Sequence, residues 1–297
     1  MSIPILNASG CLDALSAPEV ARQLDAFVTK TITPEPREGS PPVRIAETAH
    51  GMVNSIGLQG PGLDAFVDDV LPRLRALELP LWVSVGGFSA ADYATICERL
   101  DAEPGIDALE LNLSCPNVEE APETAGELVA AARATTSKRL FAKLSPMSWD
   151  VAESARAVAA AGTDGLSLVN TIRGLALDPG TLRPRLGRSV GGYSGPALKP
   201  VALACVFACA QAVELPIVGM GGVVTGLDAL ELVAAGATMV ALGTVLFGDP
   251  GAPARVRSEL AAEARARRLA TPADAARVAL AAVGNHMKAV EKPLEIG

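Results

Sequence analysis

Ala108-Leu109-Glu110-Leu111-Asn112-Leu113-Ser114-Cys115-Pro116-Asn117 reads as a strand running into a loop. Its first half is short and largely apolar on both faces, as in a parallel strand covered on two sides. Where the strand ends, Asn112 and Asn117 place two amides around the thiol of Cys115, and Pro116 fixes the backbone beside it. A thiol among neutral amides suits proton abstraction from a flat, amide-rich substrate. The alternative is a buried cysteine near a turn, since free Cys is among the most buried residue types.

Seven further runs of the same kind stand in line with this one. Apolar segments at 3–9, 26–33, 81–85, 140–144, 165–170, 216–220 and 239–243 each run into a turn-forming or small polar residue. Between them, Ala-, Leu- and Glu-rich stretches at 91–100, 123–135, 151–161, 198–212 and 227–235 read as helices. Pro18 and Asp150 stand at helix starts, Gly162 and Gly236 at helix ends. Eight such units in 297 residues favour an α/β fold closed into a single (β/α)8 TIM barrel, which needs about 250 residues, over an open doubly wound sheet. No break in composition marks a linker. The proline-rich stretch 34–42 reads as an inserted loop on the C-terminal face, and 51–58 as its return. The barrel domain is expected to occupy 1–284, with 285–297 a C-terminal tail.

A hydrophobic content of 49% suffices for one large core. A net charge of −8 and a pI near 4.9 argue against nucleic acid or an anionic membrane as a general partner, because both call for a basic surface. A local basic pocket for a phosphate stays open. Met1-Ser2-Ile3-Pro4-Ile5 shows neither a basic nor an apolar leader region, so no signal peptide is expected. No run of about 18 uncharged apolar residues announces a membrane helix. Cys11, Cys97, Cys115, Cys205 and Cys209 are odd in number and show no paired spacing, which points to a reducing cytoplasm and not to a disulfide framework. With no Cys-x-x-Cys, no metal site is expected. Cys205 and Cys209 share a helix face with Ala and Val and read as core.

Residues at the carboxyl ends of barrel strands converge on one face, where chemistry occurs. Here those ends are polar: Asn7-Ala8-Ser9-Gly10, Lys30-Thr31, Asn112 to Asn117, Lys143-Leu144-Ser145 and Asn170-Thr171. Lys30 and Lys143 each close an apolar strand and need an anion or an electron-rich ring to offset their desolvation. An ion pair with a nearby carboxylate is the alternative for each. Glycines just past the last two strands, in Val218-Gly219-Met220-Gly221-Gly222 and Leu242-Gly243-Thr244, allow a phosphate to approach the backbone. Gly191-Gly192-Tyr193-Ser194-Gly195 could add donors. Together these clusters suggest FMN, with its phosphate at Gly222 and Gly243 and Lys143 facing the ring. A dinucleotide fits less well, because no Gly-x-Gly-x-x-Gly follows a strand.

The chain resembles the soluble (class 1) dihydroorotate dehydrogenases over nearly its whole length. The resemblance rests on Asn7-Ala8-Ser9-Gly10, Lys30-Thr31-Ile32-Thr33, Asn54-Ser55-Ile56-Gly57-Leu58, Asn112 to Asn117, Lys143-Leu144-Ser145-Pro146, Val169-Asn170-Thr171, Ser194-Gly195-Pro196, Gly219-Met220-Gly221-Gly222 and Gly243-Thr244. Arg44-Ile45-Ala46-Glu47-Thr48 and Gly57-Leu58-Gln59-Gly60-Pro61-Gly62 look closest to the two-subunit, NAD-linked branch (class 1B). The resemblance implies FMN-dependent oxidation of dihydroorotate to orotate in pyrimidine synthesis, with Cys115 as base. The quinone-linked branch carries serine at that position. By the same matching, Lys30, Asn54, Ser55, Ile56, Gly57, Leu58, Asn112, Asn117, Asn170 and Thr171 would hold substrate. Ala8, Ser9, Gly10, Lys30, Thr31, Asn112, Lys143, Val169, Gly195, Gly221, Gly222, Gly243 and Thr244 would hold FMN. The branch further implies a partner subunit carrying FAD and an iron–sulfur cluster, and a homodimeric core. Two other readings are a flavin-dependent reductase of another cyclic amide, such as a dihydropyrimidine, and a non-catalytic phosphate-binding barrel.

Overall fold

The computed structural model describes residues 2–113 and 124–276. Twelve strands occur among them: β1 (Ile5–Asn7), β2 (Phe27–Val28), β3 (Ile45–Thr48), β4 (Gly51–Asn54), β5 (Leu81–Val85), β6 (Ala108–Asn112), β7 (Arg139–Lys143), β8 (Gly165–Leu168), β9 (Ile172–Leu175), β10 (Val190–Ser194), β11 (Ile217–Met220) and β12 (Met239–Leu242). Eight of them pair in the order β1-β12-β11-β8-β7-β6-β5-β2, every ladder parallel. A bridge between Leu6 and Ala26 closes this sheet into the expected barrel. Each of the eight coincides with one of the eight expected segments, within a few residues at the ends.

The closing seam is thin, and Asn7 reinforces it. This fully buried side chain donates to the Val28 carbonyl at 2.7 Å and accepts from the Val28 N–H at 2.8 Å. It thereby replaces ladder bonds that β1 and β2 do not make, so Asn7 belongs to the scaffold.

Alternate strand residues face opposite sides, and two apolar layers result. Inside the barrel lie Leu6, Ala26, Val28, Trp82, Ala108, Phe141, Val218, Met220 and Ala241. The Trp82 and Phe141 rings meet at 4.3 Å between centroids. Gly165 stands opposite Phe141 in the ladder, where any Cβ would lie 2.3 Å from the ring, so a small residue makes room for a large one. Outside, Leu109, Leu111, Leu140 and Leu166 pack fully buried beneath the helices. Each such side chain contributes roughly 1.5–3 kcal/mol.

The helices start and stop where their sequences say. Thr124 with Glu127, and Thr225 with Asp228, form capping boxes at the heads of Ala125–Arg133 and Gly226–Ala234. Asp150 accepts the Glu153 N–H at the start of Val151–Ala160. Gly162 and Gly236 follow helix ends with φ of +96° and +119°, a region that disfavours side chains.

The remaining four strands form a separate antiparallel sheet, β3-β4-β10-β9. Its two hairpins come from segments far apart in the chain. The first includes the presumed return of the inserted loop, and the second contains the glycine run 191–195. Ala46, Val53, Ala176, Leu186 and Tyr193 make a small core on one face of it. The other face looks into the barrel mouth.

Candidate active site

A cavity of about 530 Å³ opens at the carboxyl end of the barrel, a volume typical of a small-molecule or cofactor site. The barrel supplies its floor: Ala8, Ser9 and Gly10 after β1, Lys30 and Thr31 after β2, and Asn112 and Lys143 ending β6 and β7. Val169, Asn170 and Thr171 follow β8, Gly221 follows β11, and Gly243 and Thr244 follow β12. The four-stranded sheet supplies the roof through Met52, Asn54, Arg173, Val190 and Ser194. Ser55, Ile56, Gly57 and Leu58 line the wall below Asn54, and Gly195 lies beyond β10.

Most expected site residues therefore meet in one cavity. Cys115 and Asn117 lie outside the described residues; β6 ends at Asn112, on the cavity floor. Gly222 is the exception among the described ones. It is not among the residues lining the cavity, and a Cβ there would meet the Pro196 carbonyl and Lys199.

The floor is a connected network of amides and hydroxyls. Asn112 donates to Thr31 Oγ1 at 3.2 Å and accepts from Asn170 Nδ2 at 3.1 Å. Thr31 Oγ1 and Ser84 Oγ lie 2.9 Å apart, and Asn170 Oδ1 takes the Thr171 N–H at 2.8 Å. Behind the floor, the hydroxyl of buried Tyr93 donates to the Asn112 carbonyl at 2.7 Å. In the roof, Asn54 donates to the Gly192 carbonyl at 3.1 Å. Gly192 has to be glycine, since a Cβ there would come within 2.1 Å of Thr171 Oγ1.

Charge is one-sided. Lys30, Lys143, Arg173 and Arg188 line the cavity, whereas none of its described lining residues is Asp or Glu, although the chain as a whole carries −8. Such a lining attracts anions. The two lysines differ. Lys143 is buried, donates to Ser9 Oγ at 2.9 Å and pairs with buried Glu110 at 3.4 Å, so it has both a cavity position and the alternative ion pair. Lys30 has no carboxylate partner among the described residues. Burial, and next the Arg44 guanidinium, lower its pKa below the usual lysine range, while the tip remains open to solvent. Arg173, Arg188 and Cys11 also line the cavity, and sequence reading did not single them out. Burial pushes the Cys11 thiol up, against the opposing pull of Lys143 and Lys30. Cys97 and Cys209 are inert by comparison, desolvated to about 12.

After β11 and β12, the N–H groups of Gly221, Gly243 and Thr244 find no carbonyl partner among the described residues. Backbone donors are seldom left unpaired, so this glycine-lined corner suits a phosphate. Among the described residues no group of His, Cys, Asp and Glu is placed to hold a metal ion, and no helix is long and apolar enough to cross a membrane.

Fold and cavity together define a (β/α)8-barrel enzyme whose mouth accepts anionic, amide-rich molecules. The comparisons narrow this class. The family model described as dihydroorotate dehydrogenase matches residues 1–263. The catalytic subunit of dihydroorotate dehydrogenase B (NAD(+)) from Desulforudis audaxviator is 45% identical over 86% of this chain and 87% of its own. The corresponding subunit from Trichlorobacter lovleyi is 44% identical over 84% and 85%. Among solved structures, the dihydroorotate dehydrogenase of Eimeria tenella in complex with ferulenol superposes with a TM-score of 0.77 at 26% identity, covering 92% of this chain and 84% of that one. The chain belongs to the dihydroorotate dehydrogenase family. It is a flavin-dependent oxidoreductase that converts dihydroorotate to orotate in pyrimidine synthesis.

Proposed function

We propose that the flavin is FMN, that Cys115 is the base, and that electrons leave through a partner subunit. The observation that carries the cofactor reading is the cavity's polarity. A glycine corner with unpaired N–H groups lies at one end, buried Lys143 in the floor, and no described lining residue is acidic. A mononucleotide with one phosphate and one ring fits that arrangement. When bound, it supplies the hydride acceptor. Lys143 holds positive charge beside the floor, where negative charge develops on reduction.

The chain's own groups do the rest. Asn112 and Asn170, already hydrogen-bonded to each other, present amide edges that match a pyrimidine's donors and acceptors. Asn54 faces them from the roof, and Lys30 offers its ammonium to the substrate carboxylate. Cys115 Sγ, three residues after Asn112 in the sequence, takes a proton from one carbon of the bond being oxidised, while the hydrogen on the other carbon leaves as hydride to the flavin. Neighbouring positive charge lowers a thiol's pKa and so favours its basic form. Asn117, two residues after Cys115 in the sequence, completes the amide set. This reading takes the barrel domain to residue 284 and the tail to 285–297, and it places the protein in the cytoplasm.

The relatives named above are catalytic subunits of an NAD(+)-linked enzyme. That supports a second subunit as the route to NAD+; in our proposal it carries FAD and an iron–sulfur cluster and joins a homodimer of this chain. The test is anaerobic titration of the purified yellow protein with dihydroorotate, then exposure to fumarate, NAD+ and quinone. Bleaching by dihydroorotate but not by dihydrouracil, with slow reoxidation by all three acceptors until the partner is added, is the expected result. Rapid fumarate turnover overturns the partner assignment, and a colourless protein that binds no FMN overturns the cofactor.

A further inference from the structure

Glu110 is, among the described residues, the buried carboxylate beneath the cavity that the reaction leaves unused. Ala108 faces inward, so by strand alternation Glu110 and Asn112 do too. Phe141 likewise puts Lys143 inward, and the ladder sets Ser167 opposite Lys143. Glu110, Ser84, Lys143 and Ser167 thus form a polar layer between the apolar plug and the cavity floor. All four are buried: Glu110 is 1% exposed and Ser167 fully enclosed.

A carboxylate so placed is costly unless paired. Lys143 is its ion-pair partner, at 3.4 Å, a distance that holds the ammonium without neutralising it through a close contact. The same ammonium donates to Ser9, which lines the cavity. Ser167 Oγ has no hydrogen-bond partner among the described residues, so the layer is not built for maximal stability. Buried ion pairs in general stabilise folds weakly or not at all compared with apolar residues of the same volume. An acidic residue in an otherwise acid-free site needs another reason.

We propose that Glu110 is a positioning residue that, through Lys143, sets the reduction potential of the flavin. This rests on the proposed site for the ring above Lys143. The carboxylate holds the ammonium at the floor and offsets part of its field. Low dielectric makes each of these charges count far more at the ring than it would in water. With both present, the flavin is poised. Without Glu110, the uncompensated cation favours the reduced, more negative flavin. Without Lys143, the carboxylate opposes it.

The experiment is a set of equilibrium midpoint potentials on the flavin-loaded chain, measured against reference dyes in wild type, Glu110→Gln, Lys143→Met and the double variant. Glu110→Gln is expected to favour the reduced form at least tenfold, about 30 mV upward for a two-electron couple. Lys143→Met is expected to move it downward by a similar factor, and the double variant to return close to wild type. A Glu110→Gln protein that retains flavin at an unchanged potential overturns the proposal, as do shifts of equal sign in the two single variants. Should Glu110→Gln fail to fold, the double variant decides. Recovery of folding and flavin content shows that an uncompensated Lys143 was the fault, whereas its failure assigns Glu110 a purely structural role and overturns the proposal. Failure of wild type to bind flavin would instead strike the cofactor reading.

Discussion

Tyr93→Phe should separate positioning from chemistry, because Tyr93 touches the site only from behind. The hydroxyl sits on helix Ala90–Asp101 and donates at 2.7 Å to the carbonyl of Asn112, the last residue of β6. The tyrosine is 2% exposed, so water does not replace the lost donor. The ring remains and leaves no cavity. What changes is one buried carbonyl deprived of this donor, at a cost of about 1–3 kcal/mol. For a domain of this size each kcal/mol lowers Tm by roughly 2–4 °C, so a fall of roughly 2–12 °C is expected in a thermal melt. Function should suffer as well. Asn112 bonds Thr31 and Asn170, and Cys115 follows it by three residues in the sequence. A strand end freed to shift by a few tenths of an ångström should reduce kcat/KM for dihydroorotate about tenfold, which corresponds to about 1.4 kcal/mol of transition-state binding. Flavin content should be unchanged. The assays are calorimetry and steady-state kinetics with an artificial acceptor. An unchanged Tm refutes the hydrogen bond's contribution, and a lowered Tm with unchanged kcat/KM refutes the positioning.

Three further outcomes are expected. Cys115→Ala should keep flavin and orotate binding but slow flavin reduction by dihydroorotate roughly 100-fold or more in stopped-flow measurements, as for removal of a general base; near wild-type reduction would remove Cys115 from that role. Orotate affinity should fall as pH rises through the lowered pKa of Lys30, because the ammonium binds the carboxylate only while protonated. Lys30→Arg should move that loss to higher pH in a spectral titration, and identical profiles would exclude Lys30 as the anion partner. Gly192→Ala forces Thr171 to move, since the new Cβ would lie 2.1 Å from its Oγ1. It should raise the orotate dissociation constant severalfold, and an unchanged constant would place Thr171 outside the substrate site.

The barrel was legible because its evidence is local. A parallel strand covered on both faces must be a continuous apolar run, as in 81–85 and 140–144, and a strand end in such a barrel is where Lys143 or Asn112 can reach ligand. Caps at Thr124, Asp150 and Thr225 likewise follow from neighbours within one turn. The roof was not legible. β3, β4, β9 and β10 are short, and the ladder that joins the two hairpins pairs residues more than a hundred positions apart in the chain: Asn54 meets Gly192. Only the closed barrel brings those hairpins side by side, and with them Arg173 and Arg188 over the mouth.

The chain by itself determined the eight strands, their order along the sequence and the polar residues at their carboxyl ends, because each depends on side chains a few positions apart. Tertiary structure alone decided that Asn7 closes the seam, that Gly221 but not Gly222 lines the cavity, and that Glu110 on β6 reaches Lys143 on the neighbouring β7. These are consequences of strand register and of which face each alternate residue occupies. Register is set by the whole closed sheet, since a shift of one residue would turn every side chain of a strand to the other side.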